Sequence, residues 1–181
     1  MDALDQLLLV IEVAVALAGF AGVVGSFQYR SAGKIPRGDV LGLELMIVLS
    51  LITAVCAILP VALLNFGVGE TTTWSICSSV SVVAYAVYIF NIKRKFRKVL
   101  VSSRVSRILF ELFFVAAYLT ALSNLLNVLD VGLHREYAPY FVALVVPNCV
   151  SAYMFVRLVL RPLWRSIHEK ETTGSYDASP T

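Results

Sequence analysis

Few residues of this chain could do chemistry. Glu12, Glu44, Glu111 and Arg157 are ionisable groups inside long apolar stretches, and Asn124, Asn127 and Asn148 are amides inside the same stretches. An ionisable side chain near the middle of hydrocarbon costs about 3 kcal/mol on insertion scales. Each one therefore calls for an opposite charge, an exit to water, or a task such as ion binding or proton relay. The catalytic sets that need several residue types together are missing. There is no Ser/His/Asp set, HExxH, paired-His metal spacing or phosphate-binding glycine loop. The two histidines, His134 and His168, both fall outside the apolar stretches, which excludes histidine ligation of a haem between spans. No catalytic residue, metal or cofactor is expected, and the chain reads as a non-enzyme.

The elements that hold these residues follow from composition. Of 181 residues, 59% are hydrophobic and 15% charged, and the mean hydropathy is +0.81, too little polar surface for a soluble domain of this size. Five apolar runs stand out, at 7–27, 40–66, 73–92, 108–129 and 138–160. None alternates as barrel strands do, and each is long enough as a helix to cross a hydrocarbon core of about 30 Å. The expected fold is all-α: an integral membrane bundle of five transmembrane helices in one domain, 1–165, with a polar, disordered cytoplasmic tail, 166–181. The first run lacks the basic flank of a cleavable signal peptide. Pro60 is expected to kink or end the second span. The cysteines Cys56, Cys77 and Cys149 read as small packing residues.

Positive charge sets the orientation. Arg30, Lys34 and Arg37 fall in the first loop, seven Lys and Arg between 93 and 107 in the third, and Arg161, Arg165 and Lys170 after the last span. In a five-span chain these share one side, which places the N-terminus outside and the C-terminus in the cytoplasm. Lys93, Arg94, Lys95, Arg97 and Lys98 are expected at anionic lipid headgroups. Trp74, Tyr137 and Tyr140 are expected to anchor the outer interface, and Tyr29 and Trp164 the inner one. The net charge of +3 is a matter of topology and gives no sign of nucleic-acid binding.

The first span reads "EVAVALAGFAGVVGSF" from Glu12. On a helical wheel Val13, Leu17, Phe20, Val24 and Phe27 share an arc expected to face lipid. Ala14, Ala18, Gly19, Gly22 and Gly25 lie on a small-sided front expected to pack against protein. Small residues permit the close backbone approach on which membrane helices rely. With the basic loop "RSAGKIPRGD" and the later "ILPVALLNFG", this half of the chain resembles a group of small bacterial membrane proteins of unknown role. These have an acidic residue before an AGFAG helix. The resemblance implies bacterial origin and little else, and brings no substrate, cofactor or catalytic residue. The expected location is a cell inner membrane, crossed several times.

Depth sorts the polar residues into two clusters. Glu44, Glu111 and Arg157 sit near the cytoplasmic ends of their spans, with Arg157 expected to pair with one of the acids as a clamp or a constriction. Glu12 in the outer third is grouped with Thr120, Asn124 and Asn127 on one face of the fourth span. The serines of the third span (Ser75, Ser78, Ser79, Ser81) and Asn148, which follows Pro147, join them. These line a polar vestibule or, as the plainer alternative, tie helices together. The reading is a homo-oligomeric channel for ions or small solutes. The alternatives are a non-conducting scaffold or sensor subunit bound to another membrane protein, and a membrane-depolarising defence effector. Expected partners are membrane lipids and further copies of the chain.

Overall fold

A computed structural model describes residues 2–32, 37–99, 104–131 and 136–176. These form five helices and, among the described residues, no strand: α1 (Ala3–Ala32), α2 (Arg37–Asn65), α3 (Glu70–Val99), α4 (Arg104–Val128) and α5 (Tyr137–Tyr176). Four are long and apolar enough to cross a membrane, over Ala3–Phe27, Gly38–Asn65, Glu70–Lys95 and Tyr137–Leu160. In α4 the apolar stretch described is the shorter Phe113–Val128.

Cross-helix contacts give the register. Ser78 meets Asn127 and Lys93 meets Phe114, so α3 and α4 run antiparallel. Thr53 meets Tyr85 and Glu44 meets Lys95, so α2 and α3 do too. Tyr140 meets Cys56 and Leu158 lies over Gly42, which sets α5 antiparallel to α2. α1 runs parallel to α5, with Gln6 against Tyr137 and Val10 against Asn148. α2 and α5 form the middle of the bundle, while α1 and α4 flank them. One end of the bundle holds Asn127 and Glu136; the other holds Glu44 and Lys95.

Two helix ends close by the same device. Gly67 donates to the Leu64 carbonyl and Val68 to that of Leu63, with Gly67 left-handed at φ 78°. At the end of α4, Asp130 takes the same position at φ 59°, donating to Asn127, while Val131 donates to Leu126. α5 continues to Tyr176, into the segment expected as a disordered tail. Extending an existing helix costs far less than starting one, and "WRSIHEKE" contains no proline to stop it. Residues 177–181 lie outside those described.

The core has two parts. Toward the Lys95 end, Leu17, Ala21, Met46, Leu49, Tyr85 and Met154 pack together. Toward the Asn127 end, Leu7, Val10, Cys56, Cys77, Trp74 and Tyr140 do. Trp74 and Tyr140, expected at the outer interface, are core residues of this bundle at 7% and 0% exposure, their rings tilted at a centroid distance of 6.1 Å. Tyr137, half-buried, packs on Trp74 at 5.1 Å. Cys56 and Cys77 are buried packing residues as expected, whereas Cys149 is exposed on the outer face of α5. Tyr29, Trp164 and His168 lie on helices, but their side chains are outside those described, as is His134 altogether.

Candidate functional site

α1 presents two opposite faces. Leu7, Val10, Ala14, Leu17 and Ala21 recur at three- and four-residue spacing and are all buried. Leu17 and half-buried Val24 are therefore core residues rather than lipid-facing ones. Medium-sized side chains fill the groove between α2 and α5 better than glycines would. Val13, Phe20 and Phe27 remain exposed as expected. Of the small residues, Ala14 is buried, Ala18 half-buried, and Gly25 has Leu43 of α2 at 3.5 Å from where a Cβ would stand. Gly19 and Gly22 have nothing within 4 Å of that position.

Opposite the buried stripe lies an exposed line of Asp5, Glu12, Gly19 and Ser26, one residue every seven. Glu12 is exposed on the outside of the bundle. It lies three residues from the middle of the apolar span Ala3–Phe27, about 4.5 Å along the axis and deeper than the outer third. The contact of Val10 with Asn148 puts it close to the level of Asn148, yet on the far side of α1 from it.

The amides expected beside Glu12 are instead inside the protomer. Asn127, fully buried, is a clamp: its Oδ1 accepts the Glu136 N–H at 3.0 Å, and its Nδ2 donates to the Glu136 carbonyl at 3.1 Å and to Ser78 Oγ at 3.3 Å. Asn124 donates to the carbonyls of Thr120 and Pro139, and Asn148 to that of Val10 at 3.4 Å. Thr120, Ser79 and Ser81 bond to carbonyls of their own helices. Single-chain geometry therefore brings Asn124, Asn127 and Ser78 together at one end, joins Asn148 to α1, and leaves Glu12 apart.

Two pairings were missed from sequence. Pro60 has no N–H to offer the Cys56 carbonyl four residues earlier, and α2 nonetheless continues through it to Asn65. The Tyr140 hydroxyl of α5 donates to that same carbonyl. The signal was present in the arithmetic of proline and its i−4 carbonyl, but the identity of the donor was not. Thr53 Oγ1 likewise joins α2 to the Tyr85 hydroxyl of α3 at 2.9 Å.

At the other end lie Glu44, Glu111 and Arg157. Glu44 pairs with Lys95 of α3, a partner not singled out for it from sequence. Glu111 is exposed, and Arg157 is half-buried on α5. Asp39 in the first turn of α2, buried at 8% exposure and not singled out from sequence, lies about one helical turn from the level of Arg157 in the α2–α5 register set by Gly42 and Leu158. Lys93 lies over the Phe114 and Tyr118 rings at 5.3 and 5.4 Å, and Arg94 over Phe90 at 4.2 Å. These cations hold aromatic faces as well as any headgroup. Arg97 and Lys98 lie on α3 with side chains outside those described.

Between α2, α3, α4 and α5 lies a partly open cavity of about 70 Å³, walled by Leu49, Tyr85, Phe113 and Val150 among other apolar side chains, with Asn124 and Tyr88 in its lining. No family model matches the chain, and no curated protein or solved structure is significantly similar to it.

Proposed function

We propose that the protein is a multi-pass membrane protein of a bacterial inner membrane, assembling from copies of itself into a pore for cations or small solutes. α1 lines the axis of this pore. The observation that carries the reading is Glu12: a carboxyl near the middle of a span, facing outward from the bundle. Left against lipid it costs about 3 kcal/mol. A shared, wetted axis removes that cost and uses the charge. The seven-residue repeat of Asp5, Glu12, Gly19 and Ser26 fits such an axis, since helices lining it present the same stripe to each other. Asn124, Asn127 and Asn148 drop out of the lining and become struts of the protomer.

α4 completes five crossings in this reading. Its 25 residues span about 37 Å, and it packs lengthwise between α3 and α5. The N-terminus then lies outside and the Lys95 end faces the cytoplasm, following the positive charge. The chain performs no catalysis, takes no cofactor and has no nucleic-acid partner.

Purified protein in liposomes tests the pore. Expected is a cation flux driven by a potassium gradient, with cation preference lost in Glu12→Gln. Absence of flux under every gradient and voltage, with the protein correctly inserted, would sink it. A heteromeric complex isolated in mild detergent, with Gly19→Leu abolishing it, would instead assign the same face to a partner subunit.

A further inference from the structure

The cavity between α2, α3, α4 and α5 is elongated. Along α3 its lining runs from Ser81 to Ile92, and along α4 from Asn124 to Phe113. Eleven residues of helix measure about 16 Å, close to half of a hydrocarbon core of about 30 Å. The two ends differ. Ser81 and Thr120 mark one, their hydroxyls donating to carbonyls of their own helices, and a water there would find polar company. Toward the other end the wall is Ile89, Ile92, Phe113, Phe114 and Ala117. The Tyr85 hydroxyl nearby is spent on Thr53, and that of Tyr88 is sealed off from the space. A water needs two to four polar partners, so this half of the cavity takes hydrocarbon.

Lys93 stands at this hydrocarbon end, next to Ile92 in α3. Its ammonium lies over the rings of Phe114 and Tyr118 at 5.3 and 5.4 Å, and Phe114 is itself part of the cavity wall. Lys93 is half-buried and makes no salt bridge among the described residues. Glu44 takes Lys95 instead, and Glu111, about one turn from Phe114, is exposed. Ring faces attract the cation but offer its three N–H donors no oxygen, which an anion would supply. Lys93 also lies two residues from the end of the apolar span Glu70–Lys95, the depth of lipid headgroups.

We propose that this cavity holds one acyl chain of an anionic phospholipid whose phosphate binds Lys93. The chain enters beside Phe114 and lies along Ile89 and Ala117. The enclosed space of about 70 Å³ takes part of the chain, and its open side lets the remainder rest against α3 and α4. A phosphate at the end of a span with its tail toward the bilayer middle is the posture of a lipid in its own leaflet. The proposal rests on the membrane reading of the chain and not on the pore.

The test uses the full chain in liposomes. These carry a phosphatidylglycerol with a photoactivatable group midway along one acyl chain, or a phosphatidylcholine with the same chains, and mass spectrometry maps the crosslinks. Expected for phosphatidylglycerol is labelling of cavity residues such as Ile89 and Ala121, about fivefold stronger than for phosphatidylcholine, the worth of one lysine at an anionic surface. Lys93→Gln should bring the two lipids level. Arg94→Gln, which removes the same charge from a side chain lying over Phe90, should not. Ala117→Phe, which fills the cavity, should remove its labelling by both lipids. Lys93→Gln carries the test alone should Ala117→Phe fail to fold. Equal labelling of the cavity by the two lipids, or equal effects of Lys93→Gln and Arg94→Gln, would overturn the proposal and leave a general cationic surface. Crosslinks confined to the exposed Val83, Val87 and Leu119 would overturn it too, and leave the cavity to water. Were those residues also unlabelled, the membrane reading itself would fall with it.

Discussion

The Cys56 carbonyl shows how single residues settle this fold. Pro60 takes away its helical donor and Tyr140 supplies one from another helix. Tyr140→Phe should then leave a buried carbonyl unpaired and cost about 1–3 kcal/mol, read as a lower unfolding midpoint in detergent. Pro60→Ala restores an N–H four residues on. In that background the same Tyr140→Phe change should cost much less, and an undiminished loss would show that the hydroxyl does not serve this carbonyl. Asn127 is the second such case. It holds Glu136 through both backbone groups and Ser78 through its hydroxyl. Asn127→Leu should therefore destabilise by more than Thr120→Val, whose hydroxyl bonds only to carbonyls of its own helix. The amides were legible in sequence as polar groups needing partners. Which partners they take was not, because their choice depends on cross-helix register, and no local spacing encodes that.

At the scale of the element, α1 was read half correctly. Its small residues and its bulky ones do separate on the wheel. Burial, however, follows Leu7, Val10, Ala14, Leu17 and Ala21, a stripe that mixes sizes. In lipid both faces are apolar, so hydropathy cannot say which one meets protein. Only the shape of the groove between α2 and α5 decides. α5 was missed in the opposite sense: its polar end looked incapable of packing, yet helix propagates without packing once a long helix precedes it. The exposed face of α1 gives a sharp prediction. Nothing stands within 4 Å of a Cβ at Gly19 or Gly22. Gly19→Leu and Gly22→Leu should therefore leave the unfolding midpoint of the protomer unchanged or slightly raised, since glycine is a poor helix former. If copies meet on this face, the same variants should reduce the detergent-corrected mass to that of a monomer. Substituting Phe20, exposed on the adjoining arc, should not. Retention of the oligomer in both glycine variants would move the contact elsewhere.

For the whole molecule, the five apolar runs in sequence became five helices, with four of them qualifying as spans by length and composition. The fourth run carries the question. Its polar face, with Thr120, Asn124 and Asn127, lowers its apolar character, and the structure turns the two asparagines inward against Ser78 and Pro139. A helix lying on the membrane surface would have no reason to bury them there. Its antiparallel contacts with α3 and α5 extend from Asn127 at one end to Phe113 at the other, where that ring stacks on Tyr153 at 5.1 Å. Glu111 and Asp130, both exposed, flank its apolar stretch Phe113–Val128. They are nineteen residues apart, about 29 Å along a helix, close to the thickness of the hydrocarbon core. Single cysteines at these two positions, with Cys149 replaced by serine, should react with an impermeant maleimide from opposite sides. Glu111→Cys should be protected in intact cells and labelled after permeabilisation, and Asp130→Cys labelled without it. Labelling of both from one side would mean that α4 does not cross. The Lys95 end would then no longer share a compartment with the basic residues after α5, and the cationic asymmetry that orients the chain would lose its basis.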